Sequence, residues 1–216
     1  MTKSKTLRSA PVARKATPSK APHSGAARPK AAERIRESAR DLFYRQGIRA
    51  VGVDEIVHHA GVTKPSLYRS FPSKDELAAD YLRHLGDEGL ARFDAVVDAT
   101  APNRREPLRA WLRELEQKAT RRDYRGCGAT NAAVEYPEHK HPARKVAMAI
   151  KLRKRAQLIR LAANLGAREP GRLGDALLLL LEGVYASGQM FGPRGPALVL
   201  TEATESLIDS YLKRET

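Results

Sequence analysis

Cysteine occurs once in 216 residues, at Cys127, which excludes an intrachain disulfide and fits a reducing, cytoplasmic setting. No apolar run approaches the roughly 18 residues that a membrane span needs, so no membrane partner is expected. Nor does a secretory apolar segment follow the N-terminus. Strand-like alternation and internal repeats are missing throughout, which leaves an all-α chain. Catalytic chemistry is equally thin. There is no nucleophile–base pair and no phosphate-binding glycine loop, so neither an enzyme nor a cofactor is expected. Glu138, His139 and His141 come nearest to a metal set, but Pro137 and Pro142 flank them and deny an i,i+4 helical pair; a solvated loop is expected, with no metal.

Acid is absent from residues 1–30, which hold eight of the 39 Lys and Arg. The whole chain carries +14, leaving +6 for the remainder. So basic a balance points to an anionic partner. Residues 1–29 are rich in Ala, Pro, Ser, Lys and Arg and cannot bury enough surface to offset their ordering entropy, so they read as a disordered basic tail. Such a tail either solubilises or adds phosphate and minor-groove contacts. A transit peptide shares its composition, but no amphipathic period appears.

The remaining sequence, 42% hydrophobic over the whole chain, is helical in period. Ile35, Ala39, Leu42 and Phe43 form one stripe from about Ala31 to Gln46, stopped by Gly47. Val53, Ile56, Val57 and Ala60 line a second short helix that Gly61 ends. Thr63 is placed to cap a third through its hydroxyl, with Pro65 in the first turn and Leu67 and Phe71 pointing inward. Lys64, Pro65, Ser66, Tyr68 and Arg69 are left facing outward. Two helices joined by a tight turn, with a polar, basic outer face near the start of the second, can enter a DNA major groove.

Ile56, Ala60, Gly61, Val62, Thr63, Leu67, Tyr68, Phe71 and Lys74 keep the spacing of one family pattern, and on them the segment resembles the DNA-binding module of the TetR/AcrR family of bacterial regulators. Gly52-Val53, where many members have Ser or Thr, and Val57, where Ala is usual, depart from it. The resemblance implies a helix-turn-helix domain over residues 30–76 and a helical effector-binding and dimerisation domain over residues 77–216. It also implies a homodimer on a palindromic double-stranded DNA operator and a repressor released by a small-molecule effector of unknown identity. A low-specificity, nucleoid-type DNA-binding protein driven by the tail is the alternative. The candidate DNA-binding residues are Thr63, Lys64, Pro65, Ser66, Tyr68, Arg69 and Lys74, with Tyr68 and Lys74 assigned to phosphates by the resemblance. His58 and His59 are expected to face solvent.

A capping box at Ser73 and Glu76 opens a helix expected to run to about Ala99, ahead of Pro102. Helices follow over about Glu106–Thr120 and Pro142–Leu165, around Leu173–Phe191, and over Pro196–Lys213. The last two carry an apolar surplus suited to a four-helix dimer bundle. Candidate effector contacts are Trp111, Leu115, Cys127, Asn131, Glu135, Met148, Glu182, Tyr185, Gln189 and Met190, of the types that line ligand pockets and cores alike. Glu182 stands out because an ionised carboxylate in so apolar a helix needs a partner. The run KLRKR at 151–155 reads as a solvated face. Cys127 has no intramolecular resolving partner, which argues against a redox switch.

Overall fold

A computed structural model of the chain describes Met1, residues 30–99 and residues 105–212. The expected tail, but for Met1, and the break at Pro102 lie outside the described residues. Nine α-helices and no strand occur among those described: α1 Ala31–Gln46, α2 Val53–Ala60, α3 Lys64–Ser70, α4 Lys74–Val97, α5 Arg105–Ala119, α6 Gly128–Glu135, α7 Pro142–Asn164, α8 Pro170–Phe191 and α9 Leu200–Tyr211. One isolated bridge pairs Ala167 with Leu212.

Local signals account for most of these boundaries. Gly61 adopts φ +59°, ψ +42° and ends α2. Its N–H reaches the His58 carbonyl and that of Val62 reaches Val57, the paired closure of a Schellman motif, at a φ that costs a glycine nothing. Ser73 caps α4 by accepting the Glu76 N–H at 3.1 Å. Thr63 differs from expectation: its hydroxyl makes no capping bond and instead donates to Ser66 Oγ at 3.1 Å. The expected final helix is also divided, because Pro196–Val199 forms a 3-10 turn before α9. Pro196 has no N–H to continue a ladder from the preceding Gly195.

Two buried clusters organise the helices. The first unites Ile35, Ile56, Leu67 and Phe71 from α1 to the end of α3 with Leu77, Tyr81 and Leu82 of α4. It continues into Ala129 and Ala132 of α6 and Ala143 and Ala147 of α7. The boundary drawn at residue 76 is therefore a division along the chain that the packing does not follow. The second cluster gathers Phe93, Leu112, Leu158, Leu161, Leu173, Leu181 and Ile208 from α4, α5, α7, α8 and α9. Each such large side chain contributes about 1.5–3 kcal/mol when fully buried. Gly174 lets α8 approach α7 closely: a Cβ there would lie 2.8 Å from the backbone N and Cα of Ile159.

Candidate nucleic-acid interface and internal cavity

The start of α3 is the outermost part of the first cluster. Leu67 anchors it with no exposed surface, while Tyr68 remains 49% exposed. Thr63, Lys64, Pro65 and Arg69 are exposed and Ser66 is half-buried. Ser66 Oγ accepts from Thr63 and, at 3.2 Å, from Arg69. Lys64 Nζ lies 2.8 Å from Asp54 Oδ1 on α2, and that carboxylate raises the lysine pKa. A phosphate or base edge that took Lys64 would have to replace Asp54. Arg34 Nη1 donates to the Gly61 carbonyl at 3.2 Å, tying the turn to α1.

Lys74 is placed differently from the α3 residues. Its Nζ donates to the Arg49 carbonyl at 3.2 Å, and burial lowers its pKa. It braces the loop between α1 and α2, and only its remaining hydrogens are left for a phosphate. His58 and His59 are both exposed, and the His59 ring is also hydrogen-bonded to Ser38 Oγ at 3.0 Å.

The same loop is gripped from the other side. Glu135, at the end of α6, accepts the Arg49 N–H at 2.7 Å, and the Arg49 guanidinium lies 5.3 Å from the Tyr136 ring centroid. His141 stacks on Tyr136 at 3.8 Å and accepts the Ala143 N–H on Nδ1, so the neutral ring carries its proton on Nε2, 3.4 Å from Asp75. The Glu-His-Lys-His loop is thus partly structural, and no group of three metal-ligating side chains occurs among the described residues.

A cavity of about 190 Å³ lies between α4, α5, α6, α7 and α8. Leu85, Leu90, Trp111, Leu115 and Ile150 supply apolar wall, and Cys127, Ala129 and Tyr185 close one side. Of the expected effector contacts, Trp111, Leu115, Cys127 and Tyr185 line it. The other six lie elsewhere. Asn131 donates to the Arg125 carbonyl and receives Gln189 at 3.4 Å; Glu135 holds the Arg49 loop. Met148 and Met190 are 46% and 77% exposed. Glu182 accepts from Lys151 and, at 2.8 Å, from the Thr130 hydroxyl.

The cavity wall also carries charged groups. Glu114 binds Lys118 at 2.6 Å and Arg92 at 2.5 Å, and these two cations lower its pKa. Lys154 also lines the cavity. Its Nζ is buried, has no hydrogen-bond partner, and sits 3.8 Å from the Phe93 ring centroid and 5.6 Å from that of Trp111. Burial pulls its pKa down to about 7. Every charged neighbour in KLRKR faces away from it: Lys151 to Glu182, Arg153 to Asp87, Arg155 to Asp175. Lys151 also turns inward, reaching Cys127 Sγ at 3.3 Å, but Lys154 is the inward cation without an acid, and a sequence period cannot single it out.

Comparison with known proteins agrees with this arrangement. The profile described as bacterial regulatory proteins, tetR family, matches residues 35–81, the span of α1 to the first turns of α4. A TetR-family transcriptional regulator of Streptomyces coelicolor superposes with a TM-score of 0.78 at 28% identity, covering 85% of this chain and 96% of that one. Residues 35–81 thus carry the DNA-binding module of the TetR family, and the chain shares the fold of TetR-family regulators over most of its length. A second TetR-type structure, from Streptomyces avermitilis, gives a TM-score of 0.74 at 29% identity over 85% of this chain and 98% of its own. Among curated proteins, the HTH-type transcriptional repressor KstR2 of Mycobacterium tuberculosis is 40% identical over 30% of this chain and 32% of its own length. The HTH-type transcriptional repressor BdcR of Escherichia coli is 30% identical over 51% and 54%. The chain therefore spans about a third to about half the length of these curated relatives. No helix among the described residues is long and apolar enough to cross a membrane.

Proposed function

We propose that this protein is a homodimeric TetR-family transcriptional repressor, released from a palindromic DNA operator by a small molecule bound in the cavity beside Trp111. The observation that carries the reading is the outward face of α3, where Lys64, Pro65, Tyr68 and Arg69 stand exposed on a helix fixed from behind by fully buried Leu67. A rigid helix with polar groups near its start meets the requirement for base and phosphate contacts. Two heads are needed because one α3 covers few base pairs, and successive major grooves lie about 34 Å apart on one side of a duplex. An exposed apolar strip supports pairing through α8 and α9: Leu179 is 73% exposed and Val199 53%, beside a groove also lined by Leu180 and Leu207.

The route from cavity to DNA runs along α6. Cys127 and Ala129 at its start line the cavity, and Glu135 at its end holds the Arg49 loop of the DNA-binding head. Eight residues of helix span about 12 Å as a stiff rod, so a ligand that displaces the first turn moves that loop. Release then requires only that the ligand bind the displaced arrangement more tightly.

Footprinting on DNA flanking the protein's own gene and on genomic fragments tests the reading. Wild type should protect a discrete, two-fold symmetric patch that the Lys64→Ala/Tyr68→Ala double variant fails to protect. Diffuse binding, equal in the variant and abolished by removing residues 1–29, would instead establish tail-driven, non-specific association.

A further inference from the structure

We infer that the cavity takes a compact monocarboxylate, its acid group paired with Lys154 and its chain or ring laid against Leu85, Leu90, Trp111 and Ile150. This names the ligand class for the effector reading above and rests on it. The argument begins with charge. Among the described residues lining the cavity, Glu114 is already engaged by Lys118 and Arg92, so it offers little to a cationic ligand. Asp94 on α4, whose charge acts on Lys154, is taken up by Gln157 and Arg160 at 2.7 Å each. Lys151 is turned to Glu182, leaving Lys154 as the uncompensated cation of the wall.

A buried ammonium without a partner is unfavourable, and a carboxylate brought to it removes that penalty while gaining a charge-assisted bond. A neutral ligand of the same shape gains neither. Arg92 and Lys118 outnumber Glu114, so the field of the wall also favours an anion. The remaining wall is aliphatic and aromatic, which suits an apolar body. At about 190 Å³ the space lies below the roughly 300–1,000 Å³ of drug-sized sites, which limits that body to a short chain or one ring. The titratable or charged groups around the Lys154 ammonium are Asp94, Cys127 and Lys151, with Arg92, Glu114, Lys118 and Tyr185 of the shared wall. None pairs with it, so the proton that an acid ligand recruits comes to the lysine itself.

Isothermal titration of the full chain tests this with 3-phenylpropanoate, octanoate and their primary amides. Near pH 8, in two buffers of different ionisation heat, the acids should bind wild type about tenfold or more tighter than the amides, with uptake of close to one proton. Lys154→Met should lose both the preference and the proton uptake while retaining amide binding; Lys154→Gln serves if the Met variant fails to fold. Equal affinity for acid and amide in wild type, a preference that survives in the variant, or no binding of any of the four probes would overturn the assignment. Operator protection measured on the same preparations without probe separates the outcomes: it persists if only the ligand class is wrong and is absent if the regulator reading fails.

Discussion

Lys154→Met should make the protein more stable, and by an amount that depends on pH. The lysine pKa falls from its ordinary 10.5 to about 7 on folding, chiefly through burial. A tenfold change in proton affinity corresponds to about 1.4 kcal/mol, so holding the proton in the folded state costs on the order of 4–5 kcal/mol below pH 7. Partial solvent access discounts this to about 2–4 kcal/mol. The contact of Nζ with the Phe93 ring, 3.8 Å away, returns about 1 kcal/mol of it. Methionine fills a similar volume without the charge, which leaves a net gain of about 1–3 kcal/mol near pH 6.5.

The sign with pH follows from the lysine's lowered proton affinity. The unfolded chain keeps this proton until about pH 10, whereas the folded chain releases it near 7, so the unfolded state binds more protons in between. Wild-type stability from this group therefore rises with pH across that window and is lowest below it. The advantage of Lys154→Met should shrink toward zero by about pH 10. In circular-dichroism melts at fixed protomer concentration this is a Tm higher by about 3–10 °C at pH 6.5, converging at high pH. A variant less stable than wild type by one constant amount at all pH values would refute the claim that the ammonium is desolvated and unpaired.

Two other changes probe the geometry of the head. Gly61→Ala forces a Cβ into φ +59° and should lower stability by about 1–2 kcal/mol in urea titration, whereas no loss would mean that the turn relaxes freely. Glu135→Gln exchanges a charged acceptor for a neutral one at the Arg49 N–H. It should weaken operator binding about tenfold with helix content unchanged, and an unaltered affinity would remove α6 from the coupling route.

What the sequence discloses depends on where a residue's partners come from. Helix α1 ends at Gln46 and the turn at Gly61 because those features are set within a few residues of chain, by apolar spacing and by a backbone angle that glycine meets. The outer face of α3 is legible for the same reason: once Leu67 and Phe71 are assigned inward, geometry leaves Lys64, Tyr68 and Arg69 outward. Thr63 shows the limit even there. A backbone N–H that would donate to the Thr63 hydroxyl competes with the Ser66 hydroxyl, and Ser66 Oγ, three residues on, takes it as acceptor.

The cavity has no such local signature, since its wall comes from five helices, each contributing a few side chains. Trp111 and Tyr185 are recognisable as large residues on apolar faces, but Glu135 carries the same chemical promise as Glu182 and commits it to a loop 86 residues earlier in the chain. KLRKR is the sharpest case. Its four cations span more than one helical turn, so at 100° per residue they must point to different sides, and a solvated face for all of them would require α7 to be bare there. Instead α4 packs on one side and α8 on another, each bringing its own acids: Asp87 meets Arg153, while Asp175 and Glu182 meet Arg155 and Lys151. Only the direction between α4 and α5 brings aromatic rings in place of a free acid, and Lys154 is the residue whose register points there. A burial that costs stability and follows from register alone would be removed by a single substitution to methionine. A bound anion would offset that cost in a way methionine could not exploit.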